Sequence, residues 1–137
     1  MNEQFDICII GAGVIGLAIA ERLSRSYNNI LVVEKEAFFG QHVSSRNSEV
    51  IHSGFYYPQN SLKAKLCVEG NKMIYDFARK YSINHKKCGK LIVDNAIDSK
   101  KLNILKKNAE KNGLSEIKIL NQDESKRIES RVKCKNS

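Results

Sequence analysis

The chain has 137 residues, 42% of them apolar, and a formal net charge of +8. That is one modest domain's worth of sequence: enough to bury a core, but short for a dinucleotide enzyme that also carries a substrate domain. The lysine excess lies along helix-patterned stretches after residue 60 with no aromatic clustering, so solvated helix surfaces explain it and a nucleic-acid partner is not expected.

The chain opens with F-D-I-C-I-I-G-A-G-V-I-G at residues 5–16. A short apolar run ends in Gly11, Gly13 and Gly16, and a helical pattern follows at once. This predicts a strand, a phosphate-binding turn and a helix. Gly11 allows the sharp turn, Gly13 lets backbone approach a pyrophosphate, and Gly16 lets the helix pack close to the strand. The helix N-terminus adds unpaired N–H groups and a positive dipole end. In the helix, Ile15, Gly16, Ile19, Ala20 and Leu23 share one side, and Glu21, Arg22 and Arg25 the other. Residues 7–20 are apolar enough to suggest a signal peptide, but Glu3 and Asp6 precede them where Lys or Arg belongs.

Residues 29–34, N-I-L-V-V-E, read as a second strand ending in Glu34. Its distance from the glycines is close to the ~20 residues at which such sites set a carboxylate on the adenosine ribose, an arrangement that disfavours a 2′-phosphate. Residues 35–60 have no clean period. They hold His42, the run Ser44-Ser45-Arg46-Asn47-Ser48, His52, Gly54, Tyr56, Tyr57 and Pro58. A long irregular stretch directly after a nucleotide-binding βαβ unit is more often functional than idle.

Ser61 is placed to cap a helix over 61–81. Leu62, Leu66, Gly70, Met73, Phe77 and Tyr81 lie on one stripe of it, which reads as a core face with Gly70 marking close packing. Residues 85–94 read as a strand with a break at Gly89. Asp98 or Ser99 can cap a further helix in which Leu102, Leu105 and Ala109 face inward and which Gly113 ends. Ile117 and Ile119 alternate as a short strand. Asn121 and Glu124 form a capping-box pattern for a last short helix.

The cysteines, Cys8, Cys67, Cys88 and Cys134, are scattered, so neither a zinc site nor a redox dithiol is indicated and no metal is expected. Cys8 is expected to be a small buried hydrophobe in the first strand. The pattern suits a reducing cytoplasm, with peripheral membrane association left open. No transmembrane segment is expected.

Taken together, G-A-G-V-I-G-L-A-I-A, V-V-E-K-E, S-S-R-N-S-E-V-I-H-S-G-F-Y-Y-P, S-L-K-A-K-L-C-V-E-G-N and C-G-K-L-I-V resemble the N-terminal part of the L-2-hydroxyglutarate dehydrogenase/oxidase family. These are FAD-dependent oxidoreductases of the D-amino-acid-oxidase type. The resemblance implies an α/β fold: a Rossmann-like FAD-binding half-domain over 1–82 and the start of a mixed α+β substrate domain over 83–137. It implies FAD as cofactor and a small 2-hydroxy acid, L-2-hydroxyglutarate first, as the substrate oxidised to the 2-oxo acid. Carried onto this chain, Gly11, Gly13 and Gly16 would bind pyrophosphate and Glu34 the ribose. Ser44, Ser45, Arg46 and Asn47 would follow the cofactor toward its flavin end. His52 would lie near the ring, as base or substrate holder, or as a packed histidine beneath it. Tyr56 and Tyr57 would line the substrate mouth or pack, while His42 and His85 are expected to be ordinary loop or surface histidines.

The family's pattern extends well beyond this chain's length. The chain is therefore expected to be an N-terminal fragment that does not catalyse alone, or one that needs its C-terminal part as a second chain. An amino-acid or amine oxidase, a glycerol-3-phosphate dehydrogenase-like flavoenzyme, and a non-catalytic nucleotide-binding remnant are the competing readings.

Overall fold

The structure, a computed structural model, describes residues 4–95 and 99–137. Its contacts divide the chain into two compact units, Met1–Val50 and Ile51–Ser137. This division does not coincide with the domain boundary expected at 82/83.

The first unit is one βαβ turn. Strand β1 (Ile7–Ile10) pairs in parallel with β2 (Ile30–Val33), in the register Ile7↔Ile30 to Ile10↔Val33. Helix α1 (Val14–Leu23) connects them. Side chains alternate across β1: Ile7 and Ile9 are half-buried, whereas Cys8 and Ile10 are exposed. Cys8 is thus not the buried hydrophobe its sequence context suggests. It points to the sheet face opposite α1, where Ile10 is 88% exposed.

Only part of the expected inner face of α1 is covered. Gly16, Ala20 and Leu23 are half-buried, while Ile15 and Ile19 are exposed. The cause is close approach. A Cβ on Gly16 would stand 1.9 Å from the Gly11 carbonyl oxygen and 3.5 Å from Ile9 Cγ2. The helix therefore meets the strand along its smallest residues, and a two-stranded sheet is too narrow to cover the rest of the stripe.

In the second unit, α2 (Leu62–Lys80) begins as expected, with Ser61 Oγ accepting from the Ala64 N–H at 3.1 Å. Its buried face is the opposite of the expected one. Ala64 and Ala78 are buried and Cys67, Val68, Asn71 and Tyr75 half-buried, whereas Leu62, Leu66, Met73, Phe77 and Tyr81 are exposed. Small side chains win the contact because segment 51–57 packs close to the helix. Gly54, at φ +89°, lies so near that a Cβ there would meet Val68 Cγ2 at 3.0 Å and the Ala64 carbonyl oxygen at 3.1 Å. Close packing thus belongs to Gly54 and not to Gly70, which has open space around it.

The strand expected over 85–94 is absent. Gly89 turns the chain at φ +73°, and only Asp94 finds a partner, in an antiparallel bridge to Asn136. The expected strand at Ile117 and Ile119 is likewise irregular; the pairing falls one residue later, where Leu120 and Ser137 exchange both backbone hydrogen bonds. A strand exists only through its neighbour, and here the C-terminal residues supply that neighbour at isolated points. They are built in: Cys134 is buried, and Ser137 Oγ lies 2.6 Å from the fully buried Ser125 Oγ.

Helix α3 (Lys100–Lys111) buries Leu102 and Ala109 and half-buries Leu105. Of its two expected caps, Asp98 lies outside the described residues, and Ser99 holds the N-cap position without a side-chain hydrogen bond. Gly113 at φ +87° ends α3 as expected, with Gly113 and Leu114 N–H donating back to Glu110 and Ala109. Helix α4 (Gln122–Ile128) carries the full Asn121/Glu124 capping box.

The two helical glycines make opposite predictions. Gly16→Ala forces backbone apart and should cost on the order of 1–3 kcal/mol. Gly70→Ala adds a methyl to open space in a helix interior and should stabilise by about 0.5–1 kcal/mol. Denaturant midpoints of the two variants check this, and equal shifts in one direction would contradict it.

Candidate dinucleotide-binding site

The site in the first unit is assembled around the turn between β1 and α1. Gly11 takes φ +102°, a conformation open chiefly to glycine, and its N–H donates to the Val33 carbonyl at 2.7 Å. Ala12 follows and is 94% shielded, being 6% exposed. Three contacts from the segment after β2 hold this turn. Glu34 Oε2 accepts the Ala12 N–H at 2.7 Å, the Gly40 N–H donates to the Ala12 carbonyl at 2.8 Å, and Ser44 Oγ accepts the Val14 N–H at 3.0 Å. The sequence is thus folded back so that the end of β2 and a 3-10 turn at His42–Ser44 both meet the N-terminus of α1.

Glu34 serves as a local anchor at its other oxygen too. Oε1 accepts from the backbone N–H groups of Lys35 (2.8 Å) and Glu36 (3.1 Å). Those bonds, the Glu36 N–H first and Ala12 next, hold the carboxyl below the usual glutamate range against some opposing desolvation. Two residues on, Glu36 Oε1 lies 2.9 Å from His42 Nε2, and that contact lowers its pKa as well. His42 sits at φ +57°, an uncommon backbone conformation for a non-glycine, at the start of the 3-10 turn that delivers Ser44. The sequence reading missed this pair. Its only signal was a second acidic residue just beyond the ribose carboxylate.

The expected residues separate into three groups. Gly11, Gly13, Gly16, Glu34 and Ser44 come together at the turn. Ser44 Oγ would be 3.1 Å from a Cβ on Gly13, so a side chain at Gly13 would press on that hydroxyl. Ser45 and Asn47 are close in sequence but spent locally: Ser45 Oγ donates to the His42 carbonyl, Asn47 Nδ2 to the Val43 and Ser44 carbonyls, and Asn47 Oδ1 accepts from Glu49 N–H. Arg46 is exposed and makes no ion pair among the described residues. His52 is exposed and belongs to the second unit. An open cleft of about 520 Å³ in that unit, lined by Asn71, Lys72, Tyr75, Arg79, His85 and Lys87 among others, contains none of the expected site residues.

This arrangement fits the adenosine diphosphate half of a dinucleotide. The turn carries no side chain at Gly13 or Gly16, places the first N–H groups of a helix beside it, and ends the neighbouring strand in an ionised carboxylate.

Comparison with known proteins agrees. Residues 6–136 match the DAO family of FAD-dependent oxidoreductases, and the chain belongs to that family, whose cofactor is FAD. Among characterised relatives, it is 44% identical over 134 residues to the mitochondrial L-2-hydroxyglutarate dehydrogenase of Arabidopsis thaliana and 40% identical over 133 residues to that of Homo sapiens. Those alignments cover 97% and 93% of this chain but only 28% of either relative, so the chain spans less than a third of their length. Among solved structures it is similar to a dithionite-reduced L-α-glycerophosphate oxidase from Mycoplasma pneumoniae with FAD bound. The TM-score is 0.81 and the identity 27%, over 98% of this chain and 37% of that one. The relatives' mitochondrial names do not fit the cytoplasmic location expected from the cysteines, although all four thiols are free. Among the described residues no helix is long and apolar enough to cross a membrane.

The lowered pKa of Glu34 sets a direction for pH dependence. A depressed carboxylate stabilises the fold above its unfolded pKa (~4.3), and that contribution is lost as pH falls through the folded value. The Ala12 amide resonance should therefore titrate with a midpoint below that of a free glutamate, and Glu34→Gln should abolish the titration. A midpoint at or above the free value would show that Glu34 does not hold this turn.

Proposed function

We propose that the protein takes part in the FAD-dependent oxidation of a small 2-hydroxy acid, L-2-hydroxyglutarate first, to the corresponding 2-oxo acid. The observation that carries this is the 40–44% identity to L-2-hydroxyglutarate dehydrogenases over nearly the whole chain. Identity to the glycerophosphate oxidase is lower, at 27%, but its fold agreement makes L-α-glycerophosphate the second substrate to test. The free thiols favour a reducing compartment. The division at 82/83 is retained as the boundary between cofactor and substrate domains of the complete catalytic assembly, including any C-terminal part supplied as a separate chain.

In this reading the backbone at Gly11, Gly13 and Gly16 lies along the pyrophosphate, and Glu34 accepts a ribose hydroxyl at Oε2, where one lone pair remains beside the Ala12 bond. Ser44 has a second role. Its oxygen already accepts the Val14 N–H, so its own O–H is free to donate to a phosphate oxygen. Ser45, Arg46 and Asn47 continue toward the flavin, with Arg46 supplying positive charge. FAD, when bound, supplies the acceptor for the hydride that leaves the carbon bearing the hydroxyl. His52 takes the hydroxyl proton as the C–O bond becomes C=O. Histidine changes charge near neutral pH and so suits that transfer.

Two measurements test this. Anaerobic bleaching of the flavin-loaded protein by L-2-hydroxyglutarate, L-α-glycerophosphate and a D-amino acid, run side by side, should be fastest with the first. Faster reduction by either of the others would move the protein to that substrate class. His52→Ala should slow flavin reduction by ~10²- to 10⁴-fold while leaving FAD content nearly unchanged. An unchanged rate would remove His52 from the chemistry.

A further inference from the structure

We propose that Asn71, Asn108 and Asn112 form a clamp that fixes residues 52–57 in one conformation, and that they are positioning residues for the His52 segment. The clamp stands on hydrogen bonds alone. Its catalytic purpose rests on the role proposed above for His52.

Segment 52–57 has no helix or strand of its own, and one turn, from Tyr57 N–H to the Gly54 carbonyl at 3.3 Å, is its only internal backbone bond among the described residues. Its carbonyls are met by side-chain amides instead. Asn71 of α2 donates to the His52 carbonyl at 3.1 Å. Asn108 of α3 donates to the Phe55 and Tyr57 carbonyls at 2.8 and 2.9 Å. Asn112, one turn later at the C-cap of α3, donates to the Gly54 and Tyr57 carbonyls at 3.1 and 2.9 Å.

The donor arithmetic closes. An asparagine nitrogen carries two hydrogens and a carbonyl oxygen two lone pairs. Asn108 and Asn112 each use both hydrogens, and the Tyr57 carbonyl takes one bond from each. Turning either amide over would set its oxygen against two carbonyl oxygens, so only a donor serves at these positions. Behind the segment, Gly54 fits against α2 only because it lacks a Cβ. The rings are held as well: Lys63 lies over Tyr57, Lys90 over Tyr56, and Phe55 stacks on Tyr56.

Neither α2 nor α3 needs these asparagines for itself. Asparagine is a poor interior helix residue, and alanine would serve the helix better at positions 71 and 108. What the amides secure is placement of a segment distant in sequence. Chemistry on a loop depends on such support, because a small misplacement of a reacting group costs rate steeply.

The test uses the full chain with Asn108→Asp and Asn112→Asp, which keep shape but exchange the donor for an acceptor, and with Asn71→Asp. Hydrogen exchange resolved by segment is the first readout. Loss of two bonds should speed exchange of the Tyr57 amide, the segment N–H that donates within the clamped turn, by about tenfold or more in the Asn108 and Asn112 variants, while α3 keeps its protection. Unchanged exchange in the segment, or equal acceleration across α2, α3 and the segment, overturns the clamp. The second readout is flavin reduction by 2-hydroxy acid in the loaded protein. A slower rate with unchanged FAD content supports positioning; an unchanged rate despite a loosened segment overturns it. If the unaltered protein, tested in the complete catalytic assembly, is not reduced by any 2-hydroxy acid, the proposed reaction fails, while the exchange result still decides the clamp.

Discussion

The approach of α1 to the end of β1, with Gly16 seated against the Gly11 carbonyl, is the constraint on which the first unit depends. It leaves no room for a Cβ, so the helix axis is set by backbone against backbone. That fixes where the Ala12 and Val14 N–H groups point, and only then can Glu34 and Ser44 reach them. A larger residue at Gly16 would move the helix away and loosen every contact that follows β2. The glycine matters through the geometry of its neighbours more than through its own flexibility.

The turn is already hydrogen-bonded to its own chain. Glu34 and Ser44 occupy the Ala12 and Val14 N–H groups, donors that a nucleotide could also use. Glu34 accepts three N–H groups, two on Oε1 and one on Oε2, which leaves a lone pair on Oε2, and the Ser44 hydroxyl keeps a proton to give. Both groups can therefore hold the turn and face a ligand at once. This is preorganisation in its plainest form: the segment after β2 is tied down before any ligand arrives, so less ordering remains to be done on binding.

Local features were legible in the sequence wherever a residue acts on its immediate neighbours. The glycine turn, Ser61, Gly113 and the Asn121/Glu124 box carry their geometry in a few adjacent positions, and all appear as read. Partnership was not legible. The stripe from Leu62 to Tyr81 is a true helical stripe, but periodicity names a face and not what covers it; the alanine face won because segment 51–57 needs close approach. The strands expected at 85–94 and 117–119 fail for the same reason, since alternation cannot supply a neighbour. Ser44 was found through resemblance, while its bond to Val14, 30 residues away, was invisible. The asparagines at the end of α3 left one faint signal: Asn108 in its last turn and Asn112 at its C-cap, one turn apart beside the buried Ala109.

Glu34, Ser44 and the glycine turn are proposed as the adenosine end of an FAD site. Titration of the protein with FAD and with NADP, following the Ala12 and Val14 amide resonances, tests it most directly. FAD should shift both resonances, NADP should bind far more weakly because its 2′-phosphate meets the Glu34 carboxylate, and Glu34→Gln should narrow the difference. Equal or tighter binding of NADP, or FAD binding that leaves both amides unmoved, would contradict it.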